Sequence, residues 1–274
     1  MDKTERRVTD VLATSAKLGF VDGYFYDNNR PDYTDEATDK VIELLGIPST
    51  FDHKKSFNVV ELGSGTGKFT GKVKTKLPKN VDFLATEPSD DFFTTLKEKH
   101  STVKTLQCAA EHLPFSDESV HGVIAAQCFH WFANKNALDE IFRLLKEDGN
   151  IVLIWNTKDR NVDWVDKIIK TYSEYCTDEP IYYEYKWKTV IDNYSGFRLV
   201  EQLKLPGQVF KGNIDSIVYH FSSISTIQKL EKNQKAQVMS DIHEILSTHQ
   251  DTKDKDIIDL PLFTDIFHYK KIGR

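Results

Sequence analysis

No stretch of the sequence approaches the length of an apolar membrane span, so no membrane-spanning helix is expected. Cysteine is scarce: Cys108, Cys128 and Cys176 are odd in number, and none sits in a C-x-x-C pair or another metal-ligand spacing. That excludes a disulfide framework and a structural zinc site, and it fits reduced thiols in a cytosolic protein. A basic surplus is missing too. The 36 lysines and arginines face 42 acids, a net charge of −6, whereas a nucleic-acid partner requires concentrated positive charge. The one basic stretch, Lys68, Lys72, Lys74, Lys76 and Lys79, reads as the solvated face of a helix with favourable charge toward its C-terminal end. The first residues, "MDKTERRVTDVLATSAKLGF", lack the apolar core and small-residue cleavage site of a secretory signal, so a cytoplasmic location is expected. Internal repeats and low-complexity segments are absent. What is present, 39% hydrophobic and 12% aromatic residues over 274 positions, suffices for the core of one large domain.

Strand and helix patterns alternate from residue 57 onward. Phe57 to Leu62 is a short apolar run, and Lys68 to Leu77 can follow as a helix that Pro78 stops. Val81 to Ala85 is a second strand, after which Ser89 can cap a helix reaching about His100. Val103 to Cys108 is a third strand. Val120 to Ala126 is a fourth, apolar enough to be buried on both faces. Asn134 can cap a helix bearing Leu138, Ile141, Phe142 and Leu145, which Gly149 is expected to close before the fifth strand, "NIVLIW". Five such units predict an α/β fold with a mostly parallel sheet covered by helices on both faces. After Trp155 an aromatic-rich helical insertion over 156–196, broken at Pro180, precedes further strands at Phe197 to Leu205, near Gln208 to Lys211, and at Ile257 to Tyr269 with Pro261 near its start. Ile214 to His249 is helical in character.

The loop in "VVELGSGTGKFT", Val59 to Thr70, admits three ligands: a triphosphate, a dinucleotide, or a group without phosphate. A triphosphate loop needs glycine where Leu62 stands and a hydroxyl where Phe69 stands, so no side chain is in place for its magnesium. The dinucleotide pattern fails by one residue, because Gly63, Gly65 and Gly67 follow G-x-G-x-G. Glu87, at the end of the second strand, stands where an acid that accepts from both ribose hydroxyls belongs, and so favours a nucleoside ligand. A zinc motif is not built by "HEILSTH", His243 to His249: six positions turn a helix by about 600° and leave the histidines roughly 120° apart. No metal is expected.

These segments together resemble class I S-adenosylmethionine-dependent methyltransferases. "VVELGSGTGKFT" is similar to their first motif, "TEPSDDF" to the second, and "CAAEHLPFSDESVHGVIAAQCFHWF" to the third and fourth. "IFRLLKEDGNIVLIW" resembles their R-x-L-K-P-G-G segment and fifth strand, with Glu147 and Asp148 in place of the usual proline and first glycine, a change expected to affect only the turn. Upstream, "YFYDNNRPDYTDEATDKVIELL" resembles a subgroup of small-molecule methyltransferases that includes enzymes similar to trans-aconitate methyltransferase. The ordered likeness covers Tyr24 to Trp155. It implies a Rossmann-like seven-stranded sheet, with a helical cap formed by the N-terminal segment and the insertion after the fifth strand. The implied organisation is one methyltransferase domain over 1–274: a helical segment 1–56, a cofactor-binding core 57–155, a cap 156–196, and 197–274 completing the sheet with helices.

By that resemblance Gly63, Ser64 and Gly65, in the loop closed by Gly67, pass under the methionine part of S-adenosylmethionine, and Glu61 reaches its amino group through local hydrogen bonds. Glu87 holds the ribose, Ala110 and Glu111 border the adenine, and Gln127 faces the methionine portion and the methyl. The glycines have a physical reason in the close approach of ligand to backbone. Methyl transfer to a small-molecule acceptor, a carboxylate among those considered, needs alignment and desolvation from the protein. A carboxylate needs no base. An alcohol, phenol or protonated amine does, and His130 in "QCFHWF" is then the candidate, or else a residue that shapes the pocket with Trp131 and Phe132. Arg30 can grip a carboxylate of the substrate or of the cofactor, and Tyr24, Tyr26 and Tyr33 are lid or packing candidates. Trp155, Trp164, Tyr182, Tyr183 and Trp187 either line a cap over the acceptor or bury the inserted helices. A nicotinamide-dependent oxidoreductase and a non-catalytic cofactor-binding module are the alternatives. The oligomeric state is not legible.

Overall fold

A computed structural model of the chain describes residues 30–47, 56–175 and 180–273. Tyr24, Tyr26, Cys176 and most of the expected N-terminal helical segment lie outside the described residues. A seven-stranded sheet runs in the order β3(Lys104–Leu106), β2(Val81–Thr86), β1(Phe57–Leu62), β4(Val120–Ala126), β5(Leu145–Lys158), β9(Leu262–Lys271), β6(Phe197–Pro206). Strands β1 to β5 are parallel, whereas β9 pairs antiparallel with both β5 and β6. The expected seven-stranded, mostly parallel sheet with helices on both faces is the fold observed.

Alternation along the strands builds the two layers. In β5, Ile151, Leu153 and Trp155 face one cluster with α4(Lys135–Leu144) and α6(Lys186–Asp192), while Val152 and Ile154 face the opposite cluster with α1(Asp35–Leu44), α2(Lys68–Lys76) and α3(Asp90–Lys99). Helix α4 shows how sequence makes the layer. Asn134 accepts from the Ala137 amide, and Ala137, Leu138, Ile141 and Leu144 are all buried. Each buried leucine or isoleucine of this kind contributes about 1.5 to 3 kcal/mol.

Three local expectations are corrected. Helix α4 ends at Leu144, not at Gly149, because Leu145 is already extended and pairs with Val120. The turn is then carried by Asp148 in the left-handed region, φ 61°, at the position of the glycine it replaces in the family pattern. Ser89 opens α3 without a side-chain bond; its backbone N–H goes to Glu87 instead. Pro261 divides the expected last strand, so that β8(Ile258–Leu260) pairs with β7(Phe210–Gly212), and β9 enters the main sheet. A proline has no amide to continue one ladder through that junction.

To the helical insertion the structure adds a second contributor. Helix α5(Asp163–Ser173) packs with α7(Ile214–Ser222), α8(Ser225–Lys229), α9(Lys232–Thr248) and the two-stranded β7–β8 sheet in a separate buried cluster that includes Trp164, Ile168, Phe221 and Ile242. Helix α6 of the same insertion belongs to the sheet layer, where Trp155, Tyr182 and Trp187 stack, with Trp155 and Trp187 centroids 4.5 Å apart. Of the aromatic residues weighed between cap and core, Trp155, Trp164 and Trp187 are buried packing.

Candidate functional site

The strand order reverses at β1. Chain leaving β1 crosses to β2 and β3 on one side, then returns to β4 on the other, so a crevice opens beyond the carboxyl ends of β1 and β4. A cavity of about 500 Å³ lies there. Arg30, Gly63, Ser64, Gly65, Glu87, Ala110, Glu111, Gln127 and His130 all line it. Glu61 and Gly67 stand behind its wall.

The loop after β1 is a tight turn with three glycines in the left-handed region, at φ 60°, 59° and 86° for Gly63, Gly65 and Gly67. Gly67 also lacks room for a side chain, and Gly63 has little. A Cβ on Gly63 would meet Cys128 Sγ at 3.0 Å, and one on Gly67 would meet His100 Cδ2 at 2.3 Å and Leu96 Cδ1 at 2.7 Å. Gly67 therefore serves the packing of α2 against α3, while Gly63 and Gly65 form the floor of the cavity.

Glu87 is bound to that floor. Its Oε2 accepts from the Gly65 amide at 2.8 Å and its Oε1 from the Ser89 amide at 2.9 Å. Burial pushes the carboxyl up to about 7 against those two bonds, which favour its charge. Glu61 is fully buried, and burial pushes it up to about 8, opposed by hydrogen bonds from Thr70 and Ser64. Thr70 Oγ1 donates to its Oε2 at 2.6 Å, but Oε1 is buried with no partner. An orphaned carboxylate oxygen next to a glycine floor fits a ligand that brings a cation. Ser64 lines the cavity, and its Oγ donates to the Glu61 backbone carbonyl at 3.4 Å.

On the β4 side Gln127 is itself left-handed, φ 61°, a strained conformation held by its amide to Ile154 O at 2.8 Å and by Nε2 to Asn156 O at 3.0 Å. Glu111 Oε1 accepts from Asn134 Nδ2 at 2.8 Å. Arg30 Nη2 donates to Ser223 O at 2.9 Å, tying the segment before α1 to the α7–α8 junction. Tyr33 lines the wall and packs edge-on against Phe69, with centroids 4.6 Å apart.

His130 sits on a short turn, Phe129–Trp131, and its Nδ1 accepts from the Trp155 indole N–H at 3.2 Å. An indole only donates, so the neutral ring carries its proton on Nε2. Burial lowers the ring to about 3. At neutral pH, Nε2 is thus a donor with no lone pair to take a proton, which counts against the general-base role expected of His130 and leaves that of a pocket residue.

Several cavity residues escaped the sequence reading: Asn156, Thr157, Lys158, Arg160, Tyr172 and the segment Ile224–Thr226. Lys158 had a usable signal. Strand β5 continues three residues past Trp155, and the carboxyl ends of parallel strands are where ligands bind. Asn156 and Thr157 share that signal, whereas Tyr172 and Ile224–Thr226 had none, for α5 and α8 reach the cavity only through tertiary packing. Tyr183, from the insertion, lines the cavity and accepts from the Lys158 amide at 3.2 Å.

Comparison with known proteins agrees with this architecture. The family profile described as "Methyltransferase domain" matches residues 60–153. The uncharacterized methyltransferase-like protein C25B8.10 of Schizosaccharomyces pombe is 32% identical over 246 residues, covering 90% of this chain and 92% of its own. A second S. pombe protein, the uncharacterized methyltransferase C25B8.09, is 30% identical and covers 90% and 94%. Among solved structures, one from Anaeromyxobacter dehalogenans, provisionally assigned as a type II methyltransferase, superposes with a TM-score of 0.64 at 17% identity, covering 88% of this chain and 96% of that one, a likeness of fold.

Proposed function

The chain belongs to the class I S-adenosylmethionine-dependent methyltransferases, and from that premise we propose that it transfers a methyl group to a small-molecule acceptor bearing a carboxylate. The observation that carries the cofactor half is Glu87, which lines the cavity while both its oxygens hold the backbone at either end of the glycine loop's crevice. The residues fit the cofactor on three counts: a floor of left-handed backbone at Gly63 and Gly65, an orphaned buried oxygen on Glu61, and an acid at the end of β2. When bound, S-adenosylmethionine supplies an electrophilic sulfonium methyl. Gly63, Ser64 and Gly65 support its methionine portion, and Glu61 compensates the amino group through local hydrogen bonds. Glu87 accepts from the ribose, and Ala110 and Glu111 flank the base.

The chain's own contribution is then alignment and exclusion of water. Gln127 and His130 stand at the end of β4 beside the place where methyl and acceptor meet. Nε2–H of His130 can donate to an acceptor oxygen but takes no proton. Arg30 grips the acceptor carboxylate, a nucleophile that requires no base. We assign a cytoplasmic location to this small-molecule enzyme. Isothermal titration with S-adenosylhomocysteine tests the cofactor half, and mass spectrometry of reactions with S-adenosylmethionine and a pool of small carboxylic acids tests the acceptor half. Methyl esters are the expected products. Absence of binding up to millimolar S-adenosylhomocysteine would overturn the reading.

A further inference from the structure

Many lysines and arginines among the described residues are held by an acid. Lys40, Lys72, Lys76, Lys104, Arg143, Arg160 and Lys271, among others, each have a carboxylate within 4.0 Å. Lys158 differs. It lines the cavity from the last position of β5, and among the described residues no carboxylate oxygen lies within ion-pair distance of it. Its direction is nevertheless fixed. The backbone is held in register opposite Leu262 and by the Tyr183 hydroxyl, and Nζ lies 5.1 Å over the ring of Phe221, which is fully buried. The position is desolvated enough that burial and the Arg30 guanidinium together bring its amine down to about 7. A partly buried cation that none of the described carboxylates meets is costly, and it is retained where a ligand supplies that charge.

Resting on the methyltransferase reading above, we infer that Lys158 is the residue that selects the acceptor: it pairs with an anionic oxygen of the substrate, making the acceptor half of the cavity an anion site centred on the end of β5. Its neighbours in that half agree. Arg30 stands close enough to act on Lys158 electrostatically, and Arg160, 5.8 Å over the Tyr183 ring, lines the same wall. The carboxylate lining there, Glu184, is already bound by Lys186 at 2.6 Å. The aromatic rings of Tyr172, Tyr182 and Tyr183 cover the remainder, so the preferred ligand is a carboxylate on an apolar frame.

The test uses the full chain saturated with S-adenosylhomocysteine and titrated with pairs of aromatic and aliphatic acids and their amides, such as benzoate with benzamide and succinate with succinamide. At least one acid is expected to bind tenfold or more tightly than its amide, a preference of about 1.4 kcal/mol. Lys158→Met should abolish that preference and Lys158→Arg should retain it, with thermal melting of each variant reporting its folding. No preference for any acid over its amide, or a preference that survives Lys158→Met, overturns the inference. A failure of S-adenosylhomocysteine itself to bind is read separately in the same titration and overturns the cofactor assignment instead.

Discussion

Replacing Glu87 with glutamine keeps the side chain's shape and removes its charge, and the structure sets two opposing consequences. Both carboxylate oxygens accept backbone amides, Gly65 at 2.8 Å and Ser89 at 2.9 Å. Glutamine has one acceptor oxygen, so one of these N–H groups is left facing an NH2, at a cost of about 1 to 3 kcal/mol. Against this stands the charge. Burial raises the Glu87 carboxyl from 4.5 to about 7 in the folded protein. For a raised carboxyl, the stability it contributes is full below the unfolded value and is lost as pH rises through the folded one. A separation of 2.5 (7 − 4.5) at 1.36 kcal/mol per pH unit amounts to about 3 kcal/mol lost between pH 4.5 and pH 7. Glutamine has no such loss. The Glu87→Gln variant is therefore expected to be less stable than the wild type at pH 5. By pH 8 it should draw level or pass it, the difference moving by about 3 kcal/mol in the variant's favour. Urea unfolding at the two pH values, followed by tryptophan fluorescence, measures this; because the Glu87 charge also raises Glu61, the comparison is made in a Glu61→Gln background, where only Glu87 differs. At pH 8 the affinity for S-adenosylhomocysteine should fall roughly ten- to a hundredfold, the worth of a charged acceptor to a ribose hydroxyl. A stability difference that does not change with pH would refute the burial argument. An unchanged affinity would refute the ribose contact.

Gly67→Ala should cost about 2 to 4 kcal/mol in urea unfolding, because overpacking against Leu96 and His100 adds to the left-handed backbone penalty, and His100→Ala in the same chain should recover only part. Nitrogen-15 NMR of His130 should show the Nε2–H tautomer at pH 7 and a ring that stays neutral down to about pH 4; titration near 6.5 would contradict the Trp155 hydrogen bond and the burial behind it. Fluorescence titration with NADH should show no saturable binding, since the third glycine arrives one residue too early for a dinucleotide turn.

The layered α/β architecture was readable from order alone. Apolar runs of strand length alternate with amphipathic helices, and a parallel sheet follows because right-handed crossovers are the short way to connect them. The glycine loop and Glu87 were equally legible, since each belongs to the end of its own strand. Local signals misled where tertiary pairing competed: Gly149 looked like a helix stop, but pairing of Leu145 with Val120 ended the helix earlier. Pro261 looked like a strand start and proved to divide two sheets.

What the sequence determined by itself, then, is the half of the cavity proposed to hold the cofactor, because its residues follow strands β1 to β4 at short and fixed intervals. The half proposed to take the acceptor was decided only in three dimensions. Tyr172 and Thr226 reach the cavity because α5 and α7 to α9 share one buried cluster, while Tyr183 reaches it from the sheet layer and Lys158 from the end of β5. Hydrogen-bonding states were decided there as well. His130 reads in the sequence as a titratable histidine near a strand end, and it becomes a fixed hydrogen-bond donor only because the Trp155 indole, on the neighbouring strand, occupies its other nitrogen.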